Sequence, residues 1–245
     1  MSDGRKVQLQ PAYVLHHRPY RDTSRILELF TRDYGRVSVF ARGARSARKA
    51  GTALTSILQP FNRLLVSWSG RGEAGQLIGA EFDGAVSTLP PDRLVSGFYL
   101  NELLLKLFAR HDGHPDVFAL YGATLDALKV DPEGVRPLRL FEKRLLDALG
   151  YGLALERDVD ADQPLDVRCA YRYRFDQGAT RVAGVAEGID VFSGKTLCAV
   201  AREDFTDPAV CAEARVLLRA ALDRCLEGKE LRTREVMLAL RRRRD

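Results

Sequence analysis

Three observations predict an α+β multidomain chain. The first eighty-odd residues hold five short apolar runs separated by turn residues, with no long helix among them. From Arg93 the apolar positions recur at helical spacing. After residue 150 short strand-like runs return before two last helical stretches. The expected architecture is an N-terminal five-stranded barrel, a central helical domain and a small C-terminal mixed α/β lobe.

The five N-terminal runs cover 12–17, 25–31, 36–41, 61–68 and 76–82 and are mostly rich in Val, Ile, Leu, Phe and Tyr. Such residues suit a pleated, half-buried surface. Breakers stand at 19–22, 33–35 and 69–72, and Gly35 is free to take the positive φ of a tight hairpin. Five strands without a crossover helix predict a closed antiparallel barrel over residues 1–84. The OB-fold is its commonest five-stranded form, and an SH3-like barrel gives a similar pattern.

Leu94, Phe98, Leu100, Leu103, Leu104, Leu107 and Phe108 form the first helical stripe, which ends at His111-Asp112-Gly113-His114-Pro115. Two further helices are predicted over about 116–129 and 135–149. Pro137 falls in the first turn of the second, and Gly150 is well placed to end it. Residues 93–150 are therefore expected as the helical domain. An acidic loop at 155–167 leads to a hairpin around Asp176-Gln177-Gly178, within a lobe spanning 151–205. Asp207 as N-cap and Pro208 at the first helical position start a long helix to about residue 226. A shorter helix follows at about 233–242, and the helices of 206–245 are expected to pack on the helical domain.

Charge is distributed unevenly. Residues 1–84 carry 13 basic and 7 acidic residues, a net of +6; residues 85–228 carry 18 and 23, a net of −5; residues 229–245 carry 7 and 3, a net of +4. A polyanion would be met by the ends, above all the first. No run approaches 18 consecutive apolar residues, and the start lacks the apolar core and cleavage site of a secretory signal, so a cytoplasmic protein without a membrane span is expected. Cys169, Cys198, Cys211 and Cys225 are too few and too scattered for a disulfide framework, and none forms a Cys-x-x-Cys pair.

Few motifs point to bond-making chemistry. Gly188–Thr196 resembles a phosphate-binding loop, but five residues separate its outer glycines where four are required, and it reads as a turn. His111 and His114 supply only two ligands and read as helix-end or surface histidines. Asp158, Asp160, Asp162 and Asp166 could bind Mg²⁺ in a nuclease, but they sit in a Pro-containing loop with no clear metal-loop motif, and a solvated linker is the preferred reading. No catalytic residue, metal site or cofactor is assigned.

Residues 42–56 are different: Arg42, Arg45, Arg48 and Lys49 stand among small residues with no acid. One reading is a solvated surface. The other is a basic loop at the barrel mouth contacting DNA phosphates, supported by Arg18, Arg21, Arg25, Arg32 and Arg36 nearby in sequence. Tyr20, Tyr34, Phe40, Phe61 and Trp68 are interleaved aromatics, available as core or as stacking platforms. Arg241–Arg244 either complement a helix dipole or form a second contact to nucleic acid or an acidic partner.

Specific segments carry a family resemblance. Val14-Leu15, the run from Arg18 to Thr31, Tyr34-Gly35 and Ala41-Arg42-Gly43-Ala44-Arg45 resemble the N-terminal signature of the bacterial RecO recombination-mediator family. Leu58-Gln59-Pro60-Phe61 is similar to its next recurrent piece, and Arg139–Leu146 with Leu149-Gly150-Tyr151 resembles its central helix. The resemblance implies an OB domain, a helical domain and a small lobe. It also implies binding of single- and double-stranded DNA, strand annealing, and association with RecR and with the acidic tail of single-stranded DNA-binding protein, helping to load RecA. A nucleoid-associated protein would follow. Many relatives carry a zinc site of Cys-x-x-Cys pairs where this chain has only Cys169, which resembles the zinc-free type. The DNA contact implied here is Arg36, Arg42, Arg45, Arg48 and Lys49, and the residues implied for the partner's acidic tail are Arg136, Arg139 and Lys143. The other readings open at this stage are a protein–protein adaptor with little DNA affinity and a metal-dependent nuclease.

Overall fold

A computed structural model describes residues 6–44, 54–70, 74–84, 88–183 and 188–241. Strands β1 (Lys6–Tyr20), β2 (Ser24–Thr31), β3 (Gly35–Ala41), β4 (Arg63–Ser69) and β5 (Ala74–Phe82) form a closed barrel in the order β1-β2-β3-β5-β4. All five predicted strands are present, and the closed five-stranded barrel is the OB arrangement expected. The first strand is long because it serves two neighbours: its first half pairs with β4 and its second half with β2. Irregularities between Val7 and Gln10 and between Val14 and His16 bend it around the barrel. A parallel pairing of β3 with β5 closes the other side.

Alternation decides what fills the interior. Leu27 and Leu29 of β2, Val37, Val39 and Ala41 of β3, and Leu64, Val66 and Trp68 of β4 point inward. Leu58, after a helical turn at 54–57, joins that core. Two helices, α1 (Leu94–Leu107) and α2 (Pro115–Val130), cover outward residues at one end of β1–β3. Tyr13 packs on Phe118 and Tyr121 with ring centroids 5.1 and 4.8 Å away, and Phe30 packs on Phe108 and Phe118. Within this layer the Tyr121 hydroxyl donates to Asn101 Oδ1 at 2.6 Å, and Asn101 Nδ2 donates to the Leu15 carbonyl at 2.9 Å. The buried amide thus ties β1 to both helices, with its donor and its acceptor engaged.

The turn between β2 and β3 also locks into the loop after α1. A Cβ on Gly35 would stand 1.8 Å from the Asp112 carbonyl oxygen, and one on Gly113 would stand 2.5 Å from that of Asp33. Gly35 has φ +58, as its hairpin role requires.

The remaining elements are α3 (Val135–Ala148), β6 (Arg157–Asp158), β7 (Gln163–Pro164), β8 (Ala170–Arg174), β9 (Gly178–Arg181), β10 (Val191–Ser193), α4 (Gly194–Ala201), α5 (Pro208–Leu226) and α6 (Arg232–Arg241). The small sheet has the order β10-β8-β9-β6-β7. Asp207 caps α5 by accepting from Ala209 N at 2.8 Å, with Pro208 in the first turn, as the sequence indicates. Helix α4 was not expected. Its Gly194 is required because a Cβ would stand 2.0 Å from the Asp166 carbonyl oxygen.

Residues 1–129 with 231–245 form one compact unit, and residues 130–230 form a second. The helical segment 93–150 is therefore shared between them: α1 and α2 belong with the barrel whose aromatic residues they cover, and α3 packs on α5. The last helix, α6, lies against α1 in the first unit. Glu102 of α1 accepts from the Arg232 and Thr233 amides at 3.0 and 2.9 Å, satisfying donors that a helix start leaves open.

Gly113→Ala is expected to lower stability by about 1–3 kcal/mol, because the new methyl must displace backbone. Gly79, where a Cβ meets nothing within 4 Å, is the control, and Gly79→Ala should leave the urea midpoint nearly unchanged.

Candidate nucleic-acid interface

Cross-strand register orders the outer face of β1–β3 into rows. Tyr13, Phe30 and Arg36 form the first row, His16, Glu28 and Ser38 the second, and Arg18, Ile26 and Phe40 the third; Tyr20 and Ser24 come last. Helices seal the first row. Beyond the helices Arg18 is exposed, Tyr20, Ser24 and Phe40 are half-buried, and Ile26 is buried between Arg18 and Phe40. Arg21 in the turn after β1 and Arg42 directly after β3 are exposed at the same end. Among the described residues no ion pair engages Arg18, Arg21 or Arg42. Arg45, Arg48 and Lys49 lie outside the described residues, in the segment that follows Arg42 and Ala44.

Arg36 has another task. Its Nη1 donates to the Leu105 and Phe108 carbonyls at 2.6 and 2.8 Å, two of the acceptors left open at the C-terminal end of α1. Its Nη2 stands 3.6 Å from Glu28, whose carboxylate also accepts from Arg110 at 2.7 Å and from Ser38. Burial pulls the Arg36 guanidinium below its ordinary pKa, with Glu28 acting against that shift. The expectation that Arg36 meets DNA is corrected: this side chain fastens the barrel to α1. Arg32 is also unsuited, being paired with Asp33 at the far end of the β2–β3 hairpin. Six residues of strand separate that end from Arg25, a span of about 20 Å.

The aromatics divide clearly. Tyr34 and Trp68 pack edge to face within the barrel cluster, and Phe61 is buried against Phe98. Tyr20 and Phe40 pair outside the barrel with centroids 5.2 Å apart, and the Arg21 guanidinium lies 5.2 Å over the Tyr20 ring. Nearby, burial and then the Arg25 and His16 charges push His17 below the usual imidazole range. This end therefore presents cations and aromatic faces, a combination suited to phosphates and bases.

The expected tail-binding residues on α3 separate in the same way. Arg136 is exposed in the first turn. Arg139 is corrected as a surface contact: its side chain is 6% exposed and pairs with the 3% exposed Glu142 at 2.8 Å. Lys143 bonds Asp147 at 2.7 Å and stands 3.5 Å from Glu203. Burial opposes its charge, but those two acids outweigh it and hold its pKa above the ordinary lysine value.

Other motifs resolve into structural parts. The buried Asp158 accepts from the Asp160, Ala161 and Arg181 amides at 3.0, 3.2 and 3.2 Å, so it orders a turn and a strand, not a solvated linker. The segment that resembles a phosphate loop is a strand–helix junction, β10 to α4, and its mouth is taken by Glu213. That carboxylate accepts from Ser193 N and Ser193 Oγ, both at 2.6 Å, and from Thr196. Cys211 is buried and donates to the Phe205 carbonyl at 3.1 Å; Cys198 Sγ lies 3.6 Å from the Leu165 carbonyl. Among the described residues no three His, Cys, Asp or Glu side chains are grouped to hold a metal ion. None of the described helices is long and apolar enough to cross a membrane.

Comparison with known proteins agrees along almost the whole length. The family described as "Recombination protein O N terminal" matches residues 6–82, and "Recombination protein O C terminal" matches residues 90–235. The DNA repair protein RecO of Dechloromonas aromatica is 44% identical over 238 residues, covering 96% of this chain and 97% of that protein. Those of Alkalilimnicola ehrlichii and Nitrosococcus oceani are 45% and 43% identical, covering 98% and 97% of this chain and 94% and 95% of the relatives.

Two substitutions test these assignments. Arg36→Ala should lower stability by about 2 kcal/mol through the lost charged hydrogen bonds, whereas Arg42→Ala should change it by less than about 0.5 kcal/mol. In the second unit, Glu142→Gln should cost about 3 kcal/mol by leaving Arg139 charged and buried, and pairing it with Arg139→Met should restore much of the loss. Denaturant midpoints measure both.

Proposed function

The chain belongs to the RecO family, and from that premise we propose a non-enzymatic DNA-binding recombination mediator that binds and anneals single strands and helps load the recombinase at gaps and breaks. The observation that carries this reading is the open end of the barrel's outer face, where Arg18, Arg21 and Arg42 stand exposed beside Tyr20 and Phe40. Arg45, Arg48 and Lys49 extend the same basic stretch in sequence.

The chemistry follows from charge. Each phosphate neutralised by an arginine releases condensed counterions, so binding is strong at low salt and indifferent to sequence. Contacts to phosphate leave base edges free. Two complementary strands held in this way repel each other less while their Watson–Crick edges remain available, which is what annealing requires. No bond is made or broken.

Protein partners complete the reading. RecR and the acidic tail of single-stranded DNA-binding protein are the proposed partners, with RecA served indirectly and the nucleoid as the place of action. On α3, Arg136 is the surface cation that suits an acidic tail, since Arg139 and Lys143 are engaged within their own unit.

Replacing Arg18, Arg21 and Arg42 together by alanine should weaken binding to single- and double-stranded DNA alike. The slope of log affinity against log salt for single strands should become shallower by about 2. Neutralising Arg45, Arg48 and Lys49 should act in the same direction. Fluorescence anisotropy at several salt concentrations measures both, and an unchanged slope in both variants would reject the surface. A wild-type chain with no DNA affinity at about 0.15 M salt would favour an adaptor instead.

A further inference from the structure

We infer that Tyr20 and Phe40 form a stacking site for unpaired bases, which makes this surface prefer single-stranded DNA over the duplex that annealing produces. The inference rests on the DNA-binding reading above and adds to it a basis for discrimination. Arginines alone provide none, because single and double strands both present phosphates.

Four observations support it. First, neither ring belongs to the barrel core: register places both on the outer face, at the end beyond the helices. The other aromatics analysed in this unit, Tyr13, Phe30, Tyr34, Phe61 and Trp68, are all packed against barrel or helix residues. Second, three exposed arginines lie within two residues of the rings in sequence, Arg18 and Arg21 by Tyr20 and Arg42 by Phe40, so a strand bound through its phosphates passes beside the rings. Third, a flat cation already lies on Tyr20: the Arg21 guanidinium is 5.2 Å from the ring centroid, at a turn residue with φ +51. A base has the same planar requirement, and its stacking on an aromatic ring is stronger than an exposed cation–π contact. The displaced guanidinium would stay within reach of the adjoining phosphate. Fourth, Phe40 is held from below, since its carbonyl accepts from Gln76 Nε2 at 3.0 Å and β3 pairs with β5 at this residue.

The consequence is directional. An unpaired strand gains both phosphate and stacking contacts. Once two strands pair, their bases stack on one another and leave the rings, so only the phosphate contacts remain. Affinity then falls at the moment annealing is complete, which favours release of the product.

The experiment uses the full chain and three labelled probes: an oligo-dT, an abasic-spacer oligonucleotide of equal length, and a duplex. Tyr20→Ala should weaken oligo-dT binding about tenfold, leaving abasic and duplex binding and every salt slope unchanged. Phe40→Ala should act likewise. A loss shared equally by the oligo-dT and abasic probes, or no loss on oligo-dT, would overturn the stacking site while leaving the phosphate surface intact. Tyr20→Trp supplies a second readout that keeps the ring. The chain's one natural tryptophan, Trp68, is buried in the barrel, so fluorescence quenched by oligo-dT but not by the abasic probe reports stacking. Quenching by neither probe would count against the proposal. A wild-type chain binding none of the three would reject the phosphate reading and this one with it.

Discussion

The buried Asn101 amide is the constraint on which the first unit depends. Its two hydrogen bonds, to Tyr121 and to the Leu15 carbonyl, hold α1 and α2 on the barrel at one end only. Leaving either partner unpaired in this apolar layer costs about 1–3 kcal/mol, so the helices are held in register as well as attached. The aromatic layer around Tyr13 and Phe30 is sealed as a result. The barrel is left with one covered end and one open end, and that asymmetry determines which side chains can meet a ligand.

Arg36 and Arg42 illustrate the point. Arg36 lies in β3 and Arg42 directly after it, six residues or about 20 Å further along. Arg36 falls under the helices, where two carbonyl groups and a glutamate surround it. Arg42 falls past the end of the strand, exposed and with no ion pair among the described residues. Residue type is identical, and position along the chain separates a half-buried anchor from an exposed side chain. The same separation occurs on α3 between Arg136 and Arg139, where three residues of helix lead from an exposed first turn to a buried ion pair.

The strands were legible because period-2 patterning and turn residues coincide, and the long helices because their apolar stripes extend over several turns. Helix α4 escaped because eight residues beginning Gly-Lys-Thr hold too few turns to show a stripe. The role of Arg139 had a visible signal: it lies among Leu138, Phe141, Leu145 and Leu146, with Glu142 three residues on, the spacing of a helical ion pair. Arg36 carried no such signal. Its acceptors lie about seventy residues away, on a helix end that local pattern cannot place beside β3.

By itself the sequence determined the five barrel strands and the long helices, the barrel class, the concentration of positive charge in the first unit and the family. Those properties depend on local periodicity and composition, which neighbouring residues carry. Only the tertiary structure decided which arginines remain free and which aromatics lie outside the core. Both depend on contacts between residues distant in the chain, and a helix laid over half of one barrel face settles them. The basic N-terminal region indicated a polyanion partner; the helices that cover one end bury Tyr13 and Phe30 there and leave Arg18, Arg21 and Arg42 exposed.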